Sequence, residues 1–157
     1  MVSLLRVDER LVHGQVVQAW LPSLRVRRVV VADDAAAQSP LAGAAMALAL
    51  GEDVEFVCRP LAQLDFRALS ADRVATLVLV RDVAAAVVAL GAGLSAPINL
   101  GNVHAAAGRR AVSPSLFLSE AELSQLENLA GAGVQVEARA VPSERPLGVA
   151  ELRQRLA

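Results

Sequence analysis

Apolar runs of about four to eight residues recur along the chain and alternate with stretches of helical spacing. The runs are Val2 to Val7, Val29 to Ala32, Val54 to Cys58, Ala75 to Val80, Ile98 to Leu100, Leu116 to Leu118 and Val134 to Val136. They are rich in Val and Leu and show little period-two alternation, the pattern of strands covered on both faces. Alternating βα units predict an α/β fold: a single-domain, doubly wound, mostly parallel sheet of about six to seven strands with helices on both faces, occupying residues 1–157.

Several helix ends can be read directly. Ser119-Glu-Ala-Glu122 has the form of a capping box, in which hydroxyl and carboxylate each satisfy a free amide of the first turn. Leu123, Leu126, Leu129 and Ala130 then supply a core stripe that Gly131 and Gly133 end. Val149, Leu152 and Leu156 predict a last short helix behind the turn from Pro142 to Pro146. Gly91-Ala-Gly93-Leu-Ser-Ala96 matches a dinucleotide fingerprint by letter, but it follows a helical pattern and precedes a strand. That order is the reverse of the strand-to-helix turn that holds a pyrophosphate, so the segment reads as a helix C-cap and turn.

Composition narrows the function. No apolar run is long enough to cross a bilayer, and charge enters at Arg6 before any signal-like stretch, which predicts a cytoplasmic protein. A net charge of -1 gives no sustained basic field for nucleic acid or anionic lipid. The cluster Arg25, Arg27 and Arg28 has no interleaved aromatics to stack on bases and reads as a solvated strand approach. All 15 basic residues are arginine, so a lysine-dependent phosphate loop is excluded. Cys58 is the 1 cysteine of the chain, which removes internal disulfides and CxxC sites, and its apolar run makes it a buried structural thiol. Neither histidine belongs to an HxxxH or His/Cys cluster, so no metal is expected.

The first strand-to-helix crossing carries the chemistry. Arg6-Val-Asp8-Glu9-Arg10-Leu-Val-His13-Gly14-Gln15 packs four charged groups, a histidine and a glycine where a structural turn needs only a cap. Ligands of open α/β sheets bind beyond the carboxyl ends of the strands. An imidazole at a helix N-terminus has free amides and the positive end of the dipole beside it, which suit a phosphate. Arg10 adds a planar cation able to bind phosphoryl oxygens in pairs, and Gly14 lets the backbone approach closely, with Gln15 next to it. A neutral imidazole is nucleophilic when a hydrogen bond to one ring nitrogen leaves the other free, and Asp8 or a backbone carbonyl can supply that bond.

These residues resemble a known family. Arg6 to Val16 is similar to the signature of IIB subunits of the mannose/fructose/sorbose family of the bacterial phosphoenolpyruvate-dependent sugar phosphotransferase system, in which the matching histidine is phosphorylated. Val31 to Asp34 with Ser39-Pro-Leu41 resembles its second crossing, Ile98 to His104 with Gly108-Arg109 its fifth, and Gly133 to Glu137 with Val141-Pro142 its last strand. The resemblance implies a phosphocarrier. A phosphohistidine of a IIA partner would donate to Nδ1 of His13, with Arg10 and the amides around Gly14 and Gln15 holding the group. His13 would then pass it to a sugar presented by membrane IIC and IID subunits, without a cofactor.

Asp33 and His104 join Asp8 as pocket or supporting candidates, while Asp34 is expected to cap the following helix. Arg109 and Arg110 fit either a phosphoryl group, an acidic partner surface or a solvated loop. One departure stands out: family members carry a basic residue just after the proline-leucine pair, where this chain has Ala42 and Gly43. That departure keeps a second class open, a regulatory phosphoacceptor that never phosphorylates sugar. A nucleotide- or flavin-binding protein would suit the fold but lacks the residues.

Overall fold

The computed structural model describes residues 1–157. Strand β1 (Val2–Val7) leads through a turn into a helix over residues 14–24, which includes a π-helical segment, Val16–Trp20, and ends as α1 (Leu21–Leu24). β2 (Arg28–Ala32), α2 (Asp34–Ala37), α3 (Pro40–Leu50) and β3 (Glu55–Arg59) follow. Then come α4 (Phe66–Ala71), β4 (Thr76–Val80), α5 (Val83–Gly91) and β5 (Ile98–Leu100). The last part holds β6 (Arg109–Ser113), β7 (Leu116–Ser119), α6 (Glu120–Gly131), β8 (Val136–Ala138), β9 (Leu147–Gly148) and α7 (Val149–Leu156).

Seven strands form the main sheet in the order β3-β2-β4-β1-β5-β8-β9, parallel except for the two-residue edge strand β9. The alternation hidden in the apolar runs appears as two cores. Leu5 and Val7, Val30 and Ala32, and Val78 and Val80 face one side, against α5, α6 and α7. Leu4, Val29, Val31, Leu77 and Leu79 face the other, against Val16 and Trp20 of the first helix, Ala36 of α2 and Met46 and Leu50 of α3. Each large side chain so buried contributes roughly 1.5–3 kcal/mol. The doubly wound α/β sheet with helices on both faces is therefore present.

Three features depart from the sequence reading. The run at Leu116 is not a strand of the main sheet: β7 pairs antiparallel with β6 in a separate hairpin, joined to the chain near β5 by a bridge at Val103. β6 has the polar sequence Arg-Arg-Ala-Val-Ser, so its apolar pattern did not announce it. The last parallel strand lies at Val136–Ala138, shifted from the expected Val134 to Val136. The capping box at Ser119 and Glu122 is formed in both directions, and the fingerprint-like glycines lie at the end of α5 and in the turn before β5, where Gly93 has φ +107°.

Candidate functional site

β1 is central, flanked by β4 and β5, so its carboxyl end opens where chain connections depart to both sides. The turn after β1 is built by Asp8. Its carbonyl accepts from Leu11 N at 3.0 Å, and its carboxylate Oδ1 accepts from Arg10 N at 3.0 Å, an Asx turn laid over a β-turn. Leu11 leaves that turn with φ +56°, a left-handed conformation that costs a branched residue on the order of 1–2 kcal/mol. His13 then caps the helix through its carbonyl, which accepts from Val17 N at 3.1 Å. The N–H groups of Gly14, Gln15 and Val16 have no acceptor in the chain, leaving the first helical turn ready for an anion.

His13 and Asp8 meet directly. Nε2 of His13 lies 2.8 Å from Asp8 Oδ2, while the imidazole is 7% exposed and its Nδ1 is buried with no hydrogen-bond partner. A carboxylate held ionised only accepts, so Nε2 carries the proton and Nδ1 the lone pair. Asp8 is itself fully buried and also receives Arg6 Nε at 3.1 Å, Arg6 Nη2 at 2.9 Å and Asn102 Nδ2 at 2.9 Å. Burial pushes its carboxyl up, but the bonds from His13 and Asn102 and the charge of Arg6 outweigh that and hold it below the ordinary carboxylate value. Burial likewise lowers the Arg6 guanidinium, against the pull of Asp8.

Arg6 is the hub of this arrangement. It donates to Asn99 Oδ1 at 2.6 Å and Gln15 Oε1 at 3.0 Å, and stacks 5.0 Å from the Trp20 ring centre. Arg139 stacks on the same ring at 5.5 Å, and Trp20 Nε1 donates to Ala140 O. The π-helical turn explains how one helix does both jobs. Residues five apart lie closer in phase on a π-helix than on an α-helix, and Gln15 and Trp20 both reach Arg6. Gly101 completes the pocket, because a Cβ there would stand 2.3 Å from the Arg6 guanidinium carbon.

Of the residues anticipated from sequence, Asp8, His13 and Gln15 are brought together. Gln15 presents its oxygen inward, to Arg6 and to Asn102 Nδ2 at 3.0 Å, so its carboxamide oxygen is taken up by the buried network. Gly14 is exposed, and nothing lies within 4 Å of a Cβ placed on it. Arg10 is exposed too, and its guanidinium has no partner in the chain. It lines a cleft of about 390 Å³ with Leu11, Ser39, Ala42, Ala45 and Arg81 among its walls.

Asp33 and His104 stand apart from the imidazole. Asp33, and not Asp34, caps α2, accepting from Ala36 N at 2.9 Å, and it pairs with Arg81 at 2.7 and 3.0 Å. Burial raises the Asp33 carboxyl, yet Arg81 and the Ala36 amide hold it below the usual range. Asp34 instead accepts from Leu61 N. His104, 59% exposed, pairs through Nδ1 with Glu9 at 2.9 Å. Arg109 is held by Glu9 at 3.0 Å and by Glu122 at 2.9 and 3.1 Å, so it braces the hairpin and is not a free cation. Sequence reasoning counted Arg6 among the charged groups of the turn without giving it a role, and missed Asn99, Asn102 and Trp20; the signal available was an arginine inside Val-Ser-Leu-Leu-Arg-Val and an asparagine inside Ile-Asn-Leu, polar groups in buried strands that must find partners. No group of three or more His, Cys, Asp or Glu side chains is arranged to hold a metal ion.

The family described as the PTS system sorbose subfamily IIB component matches residues 2–155. The N-acetylgalactosamine-specific phosphotransferase enzyme IIB component 2 of Escherichia coli (strain K12) is 29% identical over 145 residues, covering 91% of this chain and 92% of that protein. The PTS system fructose-specific EIIB component of Bacillus subtilis (strain 168) is 23% identical over 146 residues, covering 91% and 90%. The crystal structure of the IIBSor domain of the sorbose permease from Klebsiella pneumoniae superposes with a TM-score of 0.88 at 18% identity, over 100% of this chain and 98% of that one, a likeness of fold.

Proposed function

The chain belongs to the sorbose subfamily of PTS IIB components, and we propose that His13 is the residue on which it carries the phosphoryl group. One observation carries this reading: Nε2 of His13 meets the buried Asp8 carboxylate while Nδ1 has no partner, the arrangement that favours a proton on Nε2 and a free lone pair on Nδ1.

In the proposed reaction Nδ1 attacks the phosphorus of a phosphohistidine on a IIA protein. The new P–N bond forms as the donor's P–N bond breaks, and the electron pair of that bond returns to the donor imidazole. With Nε2 still protonated, the phosphorylated ring of His13 is cationic, and the Asp8 carboxylate beneath it stabilises that charge. Arg6 and Asn102 keep Asp8 from turning away. Arg10 and the free amides at the start of the helix face the equatorial oxygens, positioning a group that needs little covalent help. A sugar hydroxyl then attacks the same phosphorus, the P–Nδ1 bond breaks with its electron pair restoring the neutral ring, and the hydroxyl proton passes to solvent. The sugar is presented by membrane IIC and IID subunits, and the chain works on the cytoplasmic side against them; no helix of its own is long and apolar enough to cross a membrane.

A second reading, a phosphoacceptor whose group never reaches sugar, draws on Ala42, which lines the cleft beside Arg10 where relatives are expected to carry a base. Both readings are tested by incubation with phosphoenolpyruvate, the general phosphotransferase proteins and a IIA subunit, followed by intact mass at neutral pH. We expect one acid-labile phosphoryl group on the parent and none on His13→Ala. Arg10→Ala should be slowed by about ten- to a hundredfold, the effect of losing charge-assisted hydrogen bonds. Adding membranes that contain IIC and IID separates the two, since only the carrier yields sugar phosphate. A parent that takes up no phosphate from a mixture active on another IIB protein would sink both.

A further inference from the structure

We propose that the outer stripe of α3, formed by Leu41, Ala45 and Leu48, together with the cleft it shares with Arg10, docks the protein that delivers the phosphoryl group; this rests on the carrier role of His13. Leu41 is 82% and Leu48 85% exposed, whereas Met46 and Leu50 of the same helix face the core. Spacings of four and three residues put Leu41, Ala45 and Leu48 on one line along the helix. None of the 11 residues of α3 carries a polar side chain. The chain as a whole is 20% charged, so a solvent-facing helix of this length would ordinarily carry about two charges. A contiguous apolar stripe on such a helix marks a surface that is covered in use.

Geometry and charge select the occupant. Ala45 belongs both to the stripe and to the wall of the cleft, so the stripe runs without a break to Arg10. The imidazole of His13 is recessed, so whatever delivers phosphate must project toward it. Within the cleft Arg81 pairs with Asp33 and the carboxylate of Glu9 with Arg109 and His104, so Arg10 is the one charged side chain of the lining without an ion-pair partner. The complementary surface is therefore a projecting dianion with an uncharged, apolar collar, which describes a phosphohistidine donor. The acceptor sugar brings no charge to Arg10. The strip suits a brief encounter with a donor and is too small to hold a permanent second copy: a helix of 11 residues is about 16 Å long and about 10 Å across, on the order of 200 Å². Each partner of a stable interface gives about 800 Å².

The test compares Leu41→Ser/Leu48→Ser with the parent, using two phosphodonors: the phosphorylated IIA protein and the small molecule phosphoramidate. Both exchanged residues point into solvent, and the neutral serines leave long-range electrostatics alone; circular dichroism verifies the fold. Docking on α3 predicts a second-order rate with the IIA protein at least tenfold lower and a phosphoramidate rate within twofold of the parent. A variant matching the parent with both donors overturns the docking alone. So does one slowed equally with both, because α3 would then act on His13 itself. A variant that receives phosphate normally but delivers it slowly to sugar would assign the stripe to the acceptor side and overturn the proposal. A parent dimer by sedimentation equilibrium, lost in the variant without change in the IIA rate, would do the same in favour of a second copy. If the parent takes phosphate from neither donor, the carrier reading itself fails.

Discussion

Asp8 decides the state of three neighbours at once. It neutralises Arg6 inside the sheet, fixes the tautomer of His13 and shapes the turn through Arg10 N. Replacing it by asparagine leaves a buried guanidinium without its counter-charge, and breaking a buried pair from one side costs about 3–5 kcal/mol. We expect Asp8→Asn to lose that much in urea unfolding at neutral pH and to be phosphorylated far more slowly. The acid limb has a definite sign. Asp8 and Asp33 both sit below the ordinary aspartate value in the native chain, so near pH 4 the unfolded chain binds more protons. Their contribution is complete above the unfolded value of about 4 and is lost as the pH falls through the native ones. Urea midpoints measured from pH 6 to pH 3 should fall, and Asp8→Asn should give a flatter profile. Gly14 makes the opposite kind of prediction. An added methyl meets nothing in the folded chain, so Gly14→Ala should keep or raise stability by about 0.5–1 kcal/mol while slowing phosphorylation of His13. The meeting of Asp8 with His13 was legible because the turn keeps them within a few residues. Asn99, Asn102 and Arg139 reach the same point from far along the chain, and no local spacing encodes that meeting.

At the scale of elements, the junction of β1 with β5 is the tightest part of the site. Gly101 N donates to Val7 O at 2.9 Å while its bare Cα makes room for the Arg6 head. Gly101→Ala forces a methyl into a guanidinium already fixed by Asp8, Asn99 and Gln15, so we expect at least about 2 kcal/mol of destabilisation and a parallel loss of phosphorylation. Ser119→Ala is the useful contrast. It removes one hydroxyl of the α6 capping box and should cost about 1 kcal/mol in a thermal melt, with phosphorylation unchanged. The parallel strands could be read from sequence because burial on both faces leaves an apolar run. The β6–β7 hairpin could not: its burial alternates, its first strand carries two arginines, and its position is set by Arg109 bridging Glu9 and Glu122. The π-helical turn was equally invisible, since its apolar residues read as an ordinary helix and only the phase of Trp20 relative to Gln15 reveals the extra width.

For the molecule as a whole, layer order followed from apolar runs covered on both faces, and the place to look for a site from the rule that open α/β sheets bind ligands beyond their carboxyl ends. What the rule left out was which strands would stand beside β1. The sheet seats the first strand between β4 and β5, and the Asp8 to Asn102 bond joins residues 94 apart. That placement has a kinetic cost. A strand made first but paired late must close long loops before it gains any ladder, which slows folding toward the range of milliseconds to seconds. During synthesis β1 and its histidine wait without neighbours until β4 and then β5 have emerged, and the reactive centre cannot assemble ahead of the sheet. An incomplete chain therefore cannot hold Asp8 through Asn102 and, on the proposed carrier role, is incapable of drawing phosphate from the donor pool.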